Sequence, residues 1–419
     1  MTEREGHSHA GPDFAPRHEA HEFGSSCYSG AQPEVGLALS GGGLRATLFH
    51  LGSLARLREL GWLARLDQVS SVSGGSIMAA VLARAWSTLE REDFSSQAFD
   101  QHVTQPTLAV ARQRIDVPTI ARGLIPGVNP ADVLARTFDG VLTHGMSLRD
   151  LPDRPRFVFN AAHVATGVSW RFAKAYMGDP RLGVVCDPNV ALSRVVAASA
   201  AFPPFVAPLV LDLRGVDLQE TDGADLFSDP RFRDLHDRVL LIGGGAIDNL
   251  GIETIEGSCK IVLALAGGGS LKVDAGRNRY RFWWPLVRRT LDISIEVGRV
   301  QRRRALIDRA TAARSLPSGS ELRQEMRTER VALWRTTYDV STHPLLPDGW
   351  TVAPGWNDYL ASRPTRLWPM PEPDRQRLVN WGYLISDLVL RRYVPELETA
   401  EPPEDLPFPA LDFARPPSG

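Results

Sequence analysis

The chain has 419 residues, and its 43% hydrophobic and 23% charged residues describe an ordinary globular protein able to bury a sizeable core. A formal charge of −2 argues against a dedicated nucleic-acid binder, because nothing global attracts a polyanion. Three cysteines, Cys27, Cys186 and Cys259, are widely spaced and form no C-x-x-C pair, so neither a disulfide framework nor a structural zinc is expected and a reducing cytoplasm is the default compartment.

Residues 1–32 are rich in Gly, Pro, His and acidic residues without periodicity and read as a flexible tail. Its histidines His7, His9, His18 and His21 lack the cysteine or carboxylate spacing that completes a metal site. From Val35 the pattern is strand, glycine turn, helix, then strand, glycine turn, helix: VGLAL leads to LRATLFHLGSLARLRELG, and a stretch around 67–72 leads through SGGS to IMAAVLARAWSTL. This alternation predicts a mainly parallel sheet in an α/β domain over 33–270. RPRFVFNAAHV, VSWRFAKAY, RVLLI and KIVLAL read as further strands, NVALSRVVAASAA as a helix, and the acidic run 211–237 as a surface insertion. The longest apolar stretch, VVAASAAFPPFVAPLVLDL, is broken by Pro203, Pro204 and Pro208 and falls short of a membrane span. Residues 271–400 read as an arginine- and aromatic-rich helical extension, and 401–419 as a loose end.

A glycine cluster opening a helix can hold a phosphate, a dinucleotide or an oxyanion. A P-loop is closed off, since no lysine precedes Lys174. Gly41, Gly43 and Ala46 fit the dinucleotide spacing, yet the second strand ends in Ser71-Val72-Ser73-Gly74-Gly75 rather than in the ribose-binding acid. Ser73 lies between small residues at a strand-to-helix turn, the setting of a nucleophile elbow. The amides of Gly41, Gly42 and Gly43, with Arg45 adding positive charge, are then candidates for the oxyanion hole.

GLALSGGGLRATLFHLGSLARL followed by VSSVSGGSI resembles the patatin-like phospholipase family, and the likeness continues through RPRFVFNAAHVATG, ASAAFPP, GGAIDNLGIE and NWGY. The resemblance implies a three-layer α/β fold and hydrolysis of acyl-ester lipids, phospholipids among them, by a serine and aspartate dyad without metal or other cofactor. Ser73 matches the nucleophile, and Gly41, Gly42, Gly43 and Arg45 match the oxyanion motif. The family's catalytic aspartate falls on Gly243, which has no group to take a proton. Asp248, five residues on, is the leading replacement, and loop capping is its simpler role. Asp222 opens a more literal Asp-Gly pair but sits in the polar insertion. His50 and His163 fit packing roles better than a Ser-His pair. A catalytically impaired relative that binds lipid or protein without turnover is the rival reading.

The segment that includes Arg277, Arg279, Tyr280, Arg281, Phe282, Trp283, Trp284, Arg288 and Arg289 mixes cations with aromatic rings, and Arg302, Arg303 and Arg304 extend the charge. It suits peripheral contact with a membrane surface and, equally, core capping by the tryptophans with ion-paired arginines.

Overall fold

The computed structural model describes residues 23–28, 31–123, 125–203, 206–269, 271, 280 and 282–417. The histidine-bearing part of the expected tail, together with Arg277, Arg279 and Arg281, lies outside them.

VGLAL forms β1 (Val35–Leu39), whose five residues are all buried, and the helix after it is α1 (Gly43–Glu59). Gly61, at φ 71°, ends that turn of chain in the left-handed region, as its position past the last periodic residue predicts. β2 (Gln68–Val72) and α2 (Gly74–Arg91) repeat the unit, with β2 parallel to β1. β3 (Arg156–His163) adds a further parallel strand. The run VSWRFAKAY, read as one strand, divides into β4 (Ser169–Phe172) and β5 (Tyr176–Asp179), which continue with β6 (Gly183–Cys186) as an antiparallel meander. After α3 (Leu192–Ala200), β7 (Leu209–Asp212) and β8 (Arg238–Gly243) pair with each other. β9 (Ile261–Ala266), α4 (Trp283–Ser315), β10 (Arg330–Arg335) and α5 (Glu372–Tyr393) complete the labelled elements.

The sheet runs in the order β10-β9-β1-β2-β3-β4-β5-β6, parallel from β10 to β3. The C-terminal third therefore supplies a strand of the sheet, RVALWR, in addition to helices. Both faces of the parallel part are covered, as its nearly continuous apolar strands require. Val35, Leu37 and Leu39 point into the core shared with α1, α2, α3 and α5. Ala38, Val262 and Ala264 point the other way, onto Leu250, Ile252, Ile255, Cys259 and Leu306 of α4. The result is the three-layer α/β arrangement.

The expectation of unpaired cysteines is corrected: Cys27 and Cys186 form a disulfide with a Cα–Cα distance of 5.3 Å, and Cys259 alone is a buried free thiol. The bond fixes the short turn Ser25–Cys27 to the end of β6, and Phe23 packs edge-on against Tyr176 beside it. Part of the segment read as tail is thus fastened to the meander. The pair also removes the cysteine argument for a reducing compartment, since disulfides persist where conditions oxidise. Among the described residues no helix is long and apolar enough to cross a membrane.

α5 lies directly on α1. A Cβ on Gly52 would fall onto the Val379 carbonyl, and one on Gly382 onto the Phe49 carbonyl, so the two helix backbones touch. Beside this contact Arg56 donates to Asp387 through Nε at 3.0 Å and Nη2 at 2.7 Å, and Arg391 donates to the same carboxylate through Nε at 3.1 and 3.0 Å. Asp387 is fully buried. Asp387→Ala strands two arginines without their carboxylate and is expected to cost about 3–5 kcal/mol. Urea unfolding checks this, and an unchanged midpoint refutes it.

Candidate active site

Ser73 sits between β2 and α2 at φ 51° and ψ −116°, a conformation that a non-glycine residue holds at a cost of about 1–3 kcal/mol. Its backbone N–H donates to Ser199 Oγ at 2.8 Å, and Ser199 Oγ donates to the Asn160 carbonyl at 2.7 Å. Ser76 Oγ joins them, 2.9 Å from Ser199 Oγ and 3.0 Å from Ser71 Oγ. The strained turn is thus held by a buried hydroxyl chain linking β2, α2, β3 and α3. The Ser73 hydroxyl itself accepts no cap bond and makes no hydrogen bond to a described residue.

The glycine loop stands against this turn. A Cβ on Gly74 would overlap the Gly43 carbonyl, so the N-termini of α1 and α2 meet backbone to backbone, and Thr47 Oγ1 bridges them by donating to the Gly74 carbonyl at 2.8 Å. A Cβ on Gly41 would lie 3.4 Å from Ser73 Cβ. The candidate donors divide here. The Gly41 N–H is taken by the Asn249 carbonyl at 2.9 Å, whereas the N–H groups of Gly42 and Gly43 donate to no described residue. Two helix N-termini therefore meet beside Ser73, and the partial positive charge of helix N-termini favours anions.

Arg45 is placed differently from a free charge at that pocket. Its buried guanidinium donates to the carbonyls of Ala361 at 2.7 Å, Arg363 at 2.5 Å and Gly267 at 3.4 Å, fastening the start of α1 to the loop after β9 and to the C-terminal region. Burial, and next the nearby Arg299, lower its pKa to about 10, so it stays charged at neutral pH.

Gly243 ends β8, which runs antiparallel to β3 with Gly243 opposite Ala161. β2 pairs with β3 up to Val72 opposite Asn160, the residue before Ala161. β8 therefore takes over the edge of β3 that β2 leaves, and Gly243 is the next sheet neighbour beyond the elbow. Its φ of −52° and ψ of 130° are open to any residue, and a Cβ there would lie 3.2 Å from the Ser199 carbonyl oxygen.

Asp248 is buried and committed to its own loop: Oδ1 accepts from Leu250 N–H at 3.0 Å and Oδ2 from Glu253 N–H at 2.8 Å. Burial pushes its carboxyl pKa up, opposed by Arg302. The next residue, Asn249, carries the carbonyl that binds Gly41, so the Asp248 cap shapes the rear wall of the pocket. Asp222 lies exposed in a turn closed by Ala224 N–H on the Thr221 carbonyl, on the surface as its polar surroundings imply. His50 is buried beneath the loop with Nε2 donating to the Ser40 carbonyl at 3.0 Å, and burial lowers its pKa to about 4. His163 Nδ1 pairs with the buried Asp179 carboxylate at 2.6 Å. Both histidines thus have packing and hydrogen-bonding partners of their own. Among the described residues there is no cluster of three or more His, Cys, Asp or Glu side chains arranged for a metal. Sequence reasoning missed Ser199 and Asn249, whose only signal was their place in ASAAFPP and IDNLG.

The family model for patatin-like phospholipase matches residues 37–254, more than half of the chain and the whole of this elbow, glycine loop and Asp248 loop. The chain belongs to the patatin-like phospholipase family. Of solved structures, this patatin-like chain is similar to human GIVD cytosolic phospholipase A2, at 13% identity and a TM-score of 0.49 over 91% of this chain and 64% of that one. The same human enzyme in complex with methyl gamma-linolenyl fluorophosphonate gives 15% identity and a TM-score of 0.48, covering 91% of this chain and 62% of that one. VipD from Legionella pneumophila gives 14% identity and a TM-score of 0.34, covering 87% and 68%. The chain thus spans less than two thirds of the length of the human phospholipase. No curated protein matches it.

Two outcomes follow from this patatin-like geometry. Gly42 has φ 148°, and an added Cβ would meet Ala46 Cβ at 2.9 Å and Gly268 Cα at 3.1 Å. Gly42→Ala is expected to lose at least about 2 kcal/mol, lowering the melting temperature by roughly 2 °C or more; an unshifted melting curve contradicts the packing described. His50, neutral in the fold, favours proton uptake by the unfolded chain once the pH drops below 6.5. Stability is expected to fall by up to about 1.4 kcal/mol per pH unit between pH 6.5 and 4, about 3 kcal/mol in all. Melting curves of wild type and His50→Gln over that range check it, and parallel acid losses in the two proteins refute it.

Proposed function

We propose that the Ser73 cleft hydrolyses fatty-acyl esters of phospholipids or neutral lipids through an acyl-Ser73 intermediate. The observation that carries this reading is the turn at Ser73, strained, unbonded at its hydroxyl and packed against the glycine loop whose Gly42 and Gly43 amides are open. Ser73 Oγ attacks the ester carbonyl, its carbon–oxygen double bond opens to an oxyanion beside those amides, and collapse expels the alcohol to leave the acyl-enzyme. Water then attacks the acyl carbon and releases the fatty acid and Ser73. Preorganised amides of this kind stabilise charge that exists only in the transition state.

Proton transfer is the weak step. Gly243 stands where the family's aspartate would accept the Ser73 proton, and both oxygens of Asp248 are occupied by backbone amides. We assign Asp248 to positioning the 248–253 loop, and the proton passes to solvent. Gly243 also favours a second reading, in which the cleft binds an acyl lipid without turning it over.

Fluorophosphonate labelling followed by peptide mapping tests the nucleophile: label on Ser73 of the wild type and none on Ser73→Ala is the expected result. Gly243→Asp, free of left-handed strain, is expected to raise ester hydrolysis by about 10²- to 10⁴-fold through general-base assistance. An unlabelled wild type together with a stable, inactive Gly243→Asp protein overturns the hydrolase reading and leaves the binding one.

A further inference from the structure

α4 is turned inside out over its first half. A helix on a globular surface keeps its apolar stripe on the core side and its charges toward water. Here Phe282, just before the helix, is 70% exposed, and along α4 Trp283 is 74%, Leu286 50%, Val287 51%, Ile293 43% and Val297 49% exposed. Positions 283, 286, 287, 290, 293, 294 and 297 follow helical spacing and form one stripe, filled out by Thr290 and Ser294. The charged residues take the inner side. Arg299 donates to the Gly269 carbonyl at 2.7 Å, and Arg302 approaches Glu253 at 3.4 Å and Asp248 at 4.0 Å. Further along, Arg309 reaches Glu256 at 3.4 Å while Leu306 enters the lower core.

The outer face changes character along its length. Eighteen residues, five helical turns, separate Leu286 from Arg304, so the line that is apolar at the N-terminal end becomes Gln301 and Arg304. Arg303 and Arg304 form no ion pair with a described residue. Arg303 turns to the flank of the helix, where burial, then Arg335 and Arg299, hold it below arginine's ordinary pKa against the nearby Glu296, and Arg304 stays exposed on the line of the stripe.

The stripe is also placed at the cleft. The Arg288 guanidinium lies 5.8 Å from the ring centroid of Phe202, itself 36% exposed. Phe202 follows Ala201, whose carbonyl accepts from Gly243 N–H at 2.8 Å. From the elbow outward, the order is Ser73, Gly243, Ala201, Phe202 and α4.

We infer that the outer face of α4, from Phe282 to Val297 with Arg304, docks the protein on an anionic lipid bilayer. The apolar stripe with its terminal aromatic residues enters the boundary between headgroups and acyl chains, and Arg304, on the same line, meets lipid phosphates and carboxylates. The inference deepens the lipid reading of the Ser73 cleft and rests on it for the direction in which lipid is passed; vesicle binding itself needs no turnover.

The experiment therefore uses the full chain carrying Ser73→Ala, so that adsorption is read without hydrolysis. Flotation is measured with phosphatidylcholine vesicles and with vesicles containing roughly 30% phosphatidylserine. Expected are binding to the anionic vesicles that weakens as ionic strength rises, and a drop of about tenfold or more when Leu286→Glu and Ile293→Glu are added. Arg304→Glu is expected to weaken the preference for anionic vesicles. Val297→Ser carries the same test more mildly if the double glutamate variant melts early. Failure of the parent to float with anionic vesicles, or equal flotation of the stripe variants, overturns the inference. So does a dimer in solution that the stripe substitutions dissociate, which would assign the face to a second copy of the chain. Fluorophosphonate labelling without vesicle binding separates this failure from failure of the hydrolase reading.

Discussion

The site depends on one backbone contact. α1 and α2 bring their N-termini together because Gly74 has no Cβ to meet the Gly43 carbonyl, and Thr47 then ties the two turns. Two peptide dipoles consequently end in the same small volume, where the net partial charge is positive. The left-handed backbone of Ser73 is the geometric cost of this arrangement, and the buried chain Ser71, Ser76, Ser199 and Asn160 offsets it. Arg45, Asn249 and Asp248 serve the same contact from behind by fixing the loops against which the glycines rest.

The exchange of neighbours along β3 sets what the site can do. β2 ends at the elbow and β8 fills the vacated edge, so the last residue of β8 is addressed to Ser73 by sheet register rather than by a flexible loop. At that address the chain has glycine. An active serine needs both a place for negative charge and a proton acceptor, and these are separable requirements met by different elements. Under the proposed reading the first falls to α1, and no side chain at the end of β8 supplies the second.

What was legible in the sequence was what short-range rules encode. Val35–Leu39 leads directly into the glycines and Gln68–Val72 directly into Ser73, so apolar periodicity and turn chemistry sufficed to place each strand and the turn that follows it. Gly243 was legible through its register with Asp248-Asn249-Leu250-Gly251. Partners distant in sequence were not. Arg45 was read as charge near an anion because nothing local announces the carbonyls of Ala361 and Arg363, more than 300 positions away. Cys27 and Cys186 are separated by 159 residues with no spacing rule to join them. β10 was hidden because RVALWR lies in arginine-rich surroundings whose helical pattern dominates any local window.

The clamp between α1 and α5 has a consequence for how the molecule is made. Arg56 and Asp387 are 331 positions apart, and β10, which closes the parallel edge, also leaves the ribosome late. At about 5–20 residues per second, the surface of α1 that α5 will cover waits for tens of seconds during synthesis. The nascent chain holds a half-covered sheet and a glycine-notched helix face for that whole interval, long after β1, α1, β2 and α2 have been translated. The finished packing cannot protect that surface until residues 372–393 have been made.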